Sequence, residues 1–186
     1  DCSGECGGSL VVDDCDVCGG DDTSCLASLS LGTFDSSGSV EILYDFGSDV
    51  AGFQFDLSGL ALTGGSGGAA GDAGFDVQTG GSTVLGFSFA GTTISAGSGV
   101  LTVLSFSDVT AGSTELSLGN FGAVTTQDGS ELTTDASGSI DHGEPDCADD
   151  YYGDSWVSDC GCVAADNSGD DCDDCAGTPN GDSALD

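Results

Sequence analysis

No lysine, arginine or methionine occurs among the 186 residues, and histidine occurs once. Each absence excludes something. With no cations to neutralise phosphate, the chain has no means of holding nucleic acid. An anionic membrane surface is excluded on the same ground. No apolar run approaches the roughly 18–20 residues of a membrane span, so no membrane insertion is expected. No cationic side chain is present to stabilise an oxyanion or clamp a phosphate. A salt bridge between side chains would need a protonated His142. The first residue, Asp1, reads as the start of a processed chain or of an excerpt.

What is present is acid, glycine and cysteine. There are 33 Asp and Glu, 33 Gly and 10 Cys, for a formal net charge of −33. Their distribution divides the chain. Residues 1–25 hold 7 acids, residues 26–140 hold 12 and residues 141–186 hold 14. All ten cysteines lie in the two flanks: Cys2, Cys6, Cys15, Cys18 and Cys25, then Cys147, Cys160, Cys162, Cys172 and Cys175. All nine Phe lie in the middle. The organisation read from this is an Asp/Cys-rich repeat over 1–25, an apolar-cored domain over 26–140 and further Asp/Cys-rich repeats over 141–186.

The flanks resemble each other. Copies begin at Asp1-Cys2, Asp146-Cys147 and Asp174-Cys175. Twelve residues separate Cys2 from Cys15, and twelve separate Cys147 from Cys160. Each copy contains a glycine (Gly8, Gly153, Gly181) followed by a short apolar stretch (Leu10–Val12, Trp156-Val157, Ala184-Leu185). A close cysteine pair comes next, Cys15/Cys18 and Cys160/Cys162, and a final cysteine closes each full copy, Cys25 and Cys172. Such self-similarity marks a repeat array. The third copy stops at Asp186, which reads as a chain that begins and ends within a longer repeating polymer or a larger protein.

Segments that lack an apolar core are stapled by disulfides in oxidising compartments, so all ten cysteines are expected in bridges. Cys15-Asp-Val-Cys18 could also be half of a zinc site, but a full site wants a second pair. Connectivity does not follow from spacing alone. Five cysteines per flank leave one over, and Cys175 is the natural candidate for a bond to a neighbouring repeat or subunit. The carboxylates call for a counter-charge. Residues 166–174 carry six acids or amides in nine positions, which would repel one another and keep the segment unfolded. Calcium, with 6–8 oxygen ligands, resolves this. The expected ligands are Asp13, Asp14, Asp16, Asp21 and Asp22 in the first flank. In the second they are Asp154, Asp159, Asp166, Asp170, Asp171, Asp173, Asp174, Asp182 and Asp186. The competing reading is a solvated acidic linker. The string DCSGECGGSLVVDDCDVCGGDDTSC resembles the thrombospondin type 3 repeats of large extracellular proteins. That resemblance implies Asp side chains lining successive calcium ions, with disulfides tying the turns. The Asp-x-Asp-x-Asp-Gly core of that family is intact in no copy.

From Leu26 to Ile140 the apolar period is two. Val40, Ile42, Tyr44 and Phe46 alternate with Glu41 and Asp45; Phe53, Phe55 and Leu57 alternate with Gln54 and Asp56. Val84 breaks phase before Phe87 and Phe89. Val100 to Phe106 is nearly continuous, as in a strand covered on both faces. Asp128-Gly129 is a hairpin turn, and Gly64 to Gly74 reads as a loop or an irregular segment. Eight to ten short strands predict an all-β fold, an antiparallel β-sandwich. The strings VAGFQFDLSGL, TVLGFSFAGTTISAGSGVLTVLSF and TELSLGN resemble a cohesin-type domain, which implies a jelly-roll similar to carbohydrate-binding modules. It also implies a non-catalytic role, docking a dockerin module.

No enzyme is expected. His142, in a junction with Pro145, reads as a solvated linker histidine. The stretch Gly64–Gly74 lacks the Lys of a phosphate loop. Some carboxylate pair is always close among 33 acids, so a pair suited to glycoside hydrolysis signals nothing. Tyr151, Tyr152 and Trp156 form either a small packed cluster or a contact to the next subunit or a sugar. Two functions follow as expectations. One is a repeating unit of an extracellular or cell-surface fibre or stalk, its partners being copies of itself. The other is a binding module that captures a dockerin-type partner or a glycan.

Overall fold

The computed structural model describes residues 1–13 and 15–183. The expected strands form where the period of two lies. They are β1 (Leu26–Asp35), β2 (Ser39–Phe46), β3 (Val50–Ser58), β4 (Leu60–Ser66), β5 (Asp76–Gly80), β6 (Thr83–Phe87), β7 (Gly97–Val109), β8 (Ser113–Ser117), β9 (Ala123–Thr126) and β10 (Thr133–Asp141). A one-turn helix, α1 (Gly68–Asp72), follows β4, and a hairpin of β11 (Trp156–Ser158) and β12 (Gly161–Val163) lies in the second flank. The sheet order is β4-β7-β2-β1-β10-β8-β3-β6-β5, with β9 running beside β3 after β8. Folded over, this makes two layers around one core, an all-β sandwich.

The core is the inward half of the alternation. Val40, Ile42 and Phe46 from β2 meet Phe53, Phe55 and Leu57 from β3, with Leu101, Leu104 and Phe106 from β7. Phe53 stacks between Phe55 and Phe75. Asp128-Gly129 turns as expected, with Thr126 N–H donating to Ser130 C=O and Gly129 at φ +86°. Two expectations are corrected. Gly64–Ser66 completes β4, and 68–72 is helical, because Ala70 is fully buried and draws the segment onto the core. The run 100–106 is not a strand covered on both faces. A bulge between the Ile42/Thr102 and Leu43/Val100 pairs turns the consecutive Leu101 and Thr102 both inward, while Ser105 stays exposed.

One pairing sets the shape. β1 and β10, the first and last strands of the sandwich, run parallel, Leu26 opposite Thr133 and Leu29 opposite Ala136. An antiparallel pair would bring the two flanks to the same end. The parallel pair sends them to opposite ends, separated by the nine residues of β10, roughly 30 Å of strand. The first flank seats where Thr133 N–H donates to Cys25 C=O and Gly47 N–H to Leu26 C=O. The second seats where His142 N–H donates to Gly112 C=O.

Candidate functional site

Both poles are built from one turn. Asp146 shows it in full. Its Oδ1 accepts the N–H of Ala148 (2.8 Å) and of Asp150 (3.1 Å), and its Oδ2 accepts the N–H of Ser155 (2.8 Å). Asp13 does the same with Cys15 (2.9 Å), Val17 (2.7 Å) and Asp22 (3.0 Å). Asp174 does so with Ala176 (2.9 Å), Thr178 (3.0 Å) and Ser183 (3.0 Å). Asp1 follows with Ser3 and Glu5 (both 3.1 Å) and Leu10 (3.4 Å). The donors stand two, four and nine residues after the aspartate each time. Each turn is an anion nest of backbone N–H groups closed around its own carboxylate.

The backbone conditions recur with the carboxylate. Position four of each nest has positive φ: Gly4, Asp16, Asp149 and Gly177. So has position seven: Gly7, Gly19, Tyr152 and Asn180. Position eight is always glycine. A Cβ on Gly8, Gly20, Gly153 or Gly181 would lie 2.0–2.2 Å from the nest Oδ2. The N–H of Val17 does most to hold Asp13 below its ordinary 3.8, and that of Thr178 does the same for Asp174. At Asp146 desolvation pushes upward, but the N–H groups of Asp150, Ser155 and Ala148 together outweigh it and the carboxyl ends lower.

Four disulfides tie the nests in one connectivity at both poles. Cys2 bonds Cys18 and Cys15 bonds Cys25; Cys147 bonds Cys162 and Cys160 bonds Cys172. Cys6 and Cys175 are free and exposed. The bridges mark a chain from an oxidising compartment.

His142 is not a solvated linker residue: it is 7% exposed. The sandwich turns it inward at the end of β10. Its Nε2 shares a hydrogen bond with Thr114 Oγ1 (2.7 Å), and its Nδ1 shares one with the Tyr152 hydroxyl (2.7 Å). Phe34 packs against both rings. Tyr152 occupies a nest position where the other copies carry Gly or Asn, and its left-handed backbone (φ +61°) costs about 1–2 kcal/mol. The hydroxyl's reach to His142 offsets that strain and docks the second flank on the sandwich. Burial lowers His142 below its ordinary 6.5, against a weaker upward pull from Asp141. The fold therefore favours the neutral ring. Its contribution is complete above the unfolded value of 6.5 and is lost as pH falls through the lower folded value. Acidification below 6.5 is expected to lower the thermal midpoint reported by Trp156 fluorescence, and a flat profile between pH 8 and 5 would refute this.

The expected metal ligands separate into groups. Asp13 and Asp174 are nest anchors. Asp16 and Asp22 lie on the nest backbone, Asp22 donating its N–H to Asp13. Asp21 is held by Thr23, whose hydroxyl and N–H both donate to it. Asp171 accepts a hydrogen bond from Asn167 (2.7 Å), and Asp154, Asp166 and Asp182 are exposed. Asp14 and Asp186 lie outside the described residues. Asp159, Asp170 and Asp173 line one pocket of about 200 Å³ beside Trp156, but among the described residues their carboxylates do not close into a cluster within reach of one ion. Desolvation, then the charges of Asp170, Asp159 and Asp174, push Asp173 above its ordinary 3.8. Asp173 also lies beside Cys160 and Cys172, but both sulfurs are committed to their disulfide. Sequence reasoning did not single out Asp1 and Asp146 as anchors. The signal was an aspartate seven residues before each glycine.

No protein-family model matches this chain, and no curated protein matches it. Among solved structures, a non-cellulosomal cohesin from the hyperthermophilic archaeon Archaeoglobus fulgidus is similar, with a TM-score of 0.41 and 18% identity over 58% of this chain and 83% of the cohesin.

Proposed function

We propose that the chain is a structural bead of an extracellular or cell-surface fibre or stalk, non-catalytic, with the flanks as stiff connectors between copies. The observation that carries this reading is the parallel β1/β10 pairing. It puts one connector at each pole, and the two connectors share one nest and one disulfide pattern. A chain with both flanks at one end could not be strung in line. Calcium is the counter-ion in this reading, held at the second pole by Asp159, Asp170 and Asp173. Light scattering on native material, before and after a calcium chelator under non-reducing conditions, tests it. Large particles that disassemble or lose stiffness on chelation are expected. A small monodisperse species in both conditions would overturn the bead.

A second reading, a binding module for a dockerin-type partner or a glycan, is favoured by the outer face of the β6 layer. Leu85 of β6 is 39% exposed there, and Phe89 and Phe121, in the loops after β6 and before β9, are 86% and 85% exposed. Saturable binding of one partner by a chain that stays monomeric would prefer this reading.

A further inference from the structure

Beyond Gly143 the second flank is tied to the sandwich at one point. Among the described residues a single hydrogen bond crosses that seam, between the Tyr152 hydroxyl and His142 Nδ1 (2.7 Å). Both disulfides of the flank close within it. Rings surround the bond: Phe34 of β1 lies against His142 and Tyr152, and Tyr151 meets His142 edge-on.

Thr114 fixes the direction of the hydrogen bonds. It is fully buried, and among the described residues its Oγ1 has one partner, His142 Nε2. A hydroxyl carries one proton, and a buried one has to be donated. The Thr114 O–H therefore points at Nε2, which accepts. The ring proton then sits on Nδ1 and is donated to the Tyr152 oxygen. The Tyr152 hydroxyl proton turns to solvent, since that side chain is half exposed. A second ring proton would go to Nε2 and meet the Thr114 proton head-on. Turning the hydroxyl away leaves a buried donor with no acceptor. The surrounding charges do little to compensate. Asp141 precedes the histidine on β10 and pulls upward, but burial outweighs it. Across the seam Asp108 and Asp150 line a cleft beside Tyr152. Glu115, next to Thr114, accepts the Ser139 hydroxyl, and Asp35, next to Phe34, accepts the Ser37 N–H.

We propose that His142 is a proton-gated latch: the neutral ring clamps the second flank to the sandwich through Tyr152, and the protonated ring releases it. Gly143, with φ +71°, is the hinge on which the freed flank turns. Release also relieves the left-handed backbone of Tyr152. The Asp146 nest and both disulfides stay closed, so the connector changes from stiff to swivelling without unfolding. The latch lies within one chain, and it stands or falls independently of whether beads assemble.

The test is time-resolved fluorescence anisotropy of Trp156, the only tryptophan, on the oxidised chain from pH 8 to 5. That range ends above ordinary carboxylate titration. Above pH 6.5 a single slow decay is expected, the flank tumbling with the sandwich. Below it a fast segmental component should grow until it dominates, with the far-ultraviolet strand signal unchanged. Its midpoint should coincide with the His142 imidazole titration followed by nuclear magnetic resonance. His142→Gln, which bonds without titrating, should show no pH response. Tyr152→Asn places in this nest the residue that the Asp174 nest carries at Asn180, and should show the fast component at every pH. A wild-type decay that stays slow to pH 5 would overturn the latch, as would a midpoint away from that of His142. So would a His142→Gln response like the wild type's, or a slow decay in Tyr152→Asn. Loss of the strand signal together with the slow decay would mean global unfolding and would overturn it too.

Discussion

Reduction of the four disulfides releases both flanks and leaves the sandwich folded. The reason is where the apolar burial lies. Among the described residues every buried apolar side chain falls between Ala27 and Leu132, while Leu10, Val11, Val12, Trp156 and Val157 of the flanks are exposed. The flanks therefore rely on nests and on bridges closing loops of 16, 10, 15 and 12 residues. A loop of this length restricts the unfolded chain by about 3 kcal/mol. Removing two per flank exceeds anything the exposed apolar residues supply. No cysteine lies in the sandwich, which keeps its core. Trp156 is the only tryptophan, and its ring closes over Gly169, where a Cβ would meet it at 2.7 Å. Its fluorescence thus reports the second flank alone. Titration with a strong thiol is expected to red-shift that emission while the far-ultraviolet strand signal persists. Simultaneous loss of both signals would show that the flanks and the sandwich form one cooperative unit.

The sandwich was legible because alternation is a direct record of which face is buried. β2 and β3 show that alternation directly, with Val40, Ile42 and Phe46 and then Phe53, Phe55 and Leu57 on the buried face. The misreadings have physical causes. Val84 seemed to break phase before Phe87 because the next inward residue is Gly86, not an apolar side chain. Gly86 pairs with Phe53 across β6 and β3, and a Cβ on it would meet the Phe53 ring at 2.1 Å. A strand can thus keep its phase through a glycine that a neighbouring ring covers. The bulge in β7 is a second such case, since one extra residue makes a half-buried strand look continuous.

His142 was misread because its burial is not local. Its partners Thr114 and Tyr152 come from β8 and from the following nest, and nothing in the junction sequence announces either. The nests were half legible. Their glycines and their repeat were visible, yet aspartates in a cysteine framework suggest metal ligation before they suggest hydrogen bonding to their own backbone. Asp13, Asp146 and Asp174 each already accept three N–H groups, out of about four acceptor sites on a carboxylate. With Asp1, four of the 21 acids in the flanks are thus employed in building turns. The cation site proposed at the second pole draws on Asp159, Asp170 and Asp173, which anchor no nest.

Gly153→Ala is expected to undo the third nest as completely as Asp146→Ala does. The new Cβ would lie 2.2 Å from Asp146 Oδ2, 2.8 Å from its Cγ and 3.0 Å from the Asp150 Cβ. The carboxylate must swing out, and the N–H groups of Ala148, Asp150 and Ser155 lose their acceptor. Tyr151 and Tyr152 sit inside this nest, so the hydroxyl that meets His142 is displaced with it. Hydrogen exchange at the three amides should then rise to within about tenfold of free-peptide rates, with the sandwich amides unchanged. Gly64→Ala is the control, because a Cβ there meets nothing within 4 Å. The double variant separates a shared mechanism from two unrelated injuries. If glycine and aspartate act through one carboxylate, the second substitution adds nothing to the first. Additive losses, or unchanged exchange in Gly153→Ala, would mean that the turn is held by its disulfides and backbone alone. The recurrence of glycine seven residues after each aspartate would then need another cause.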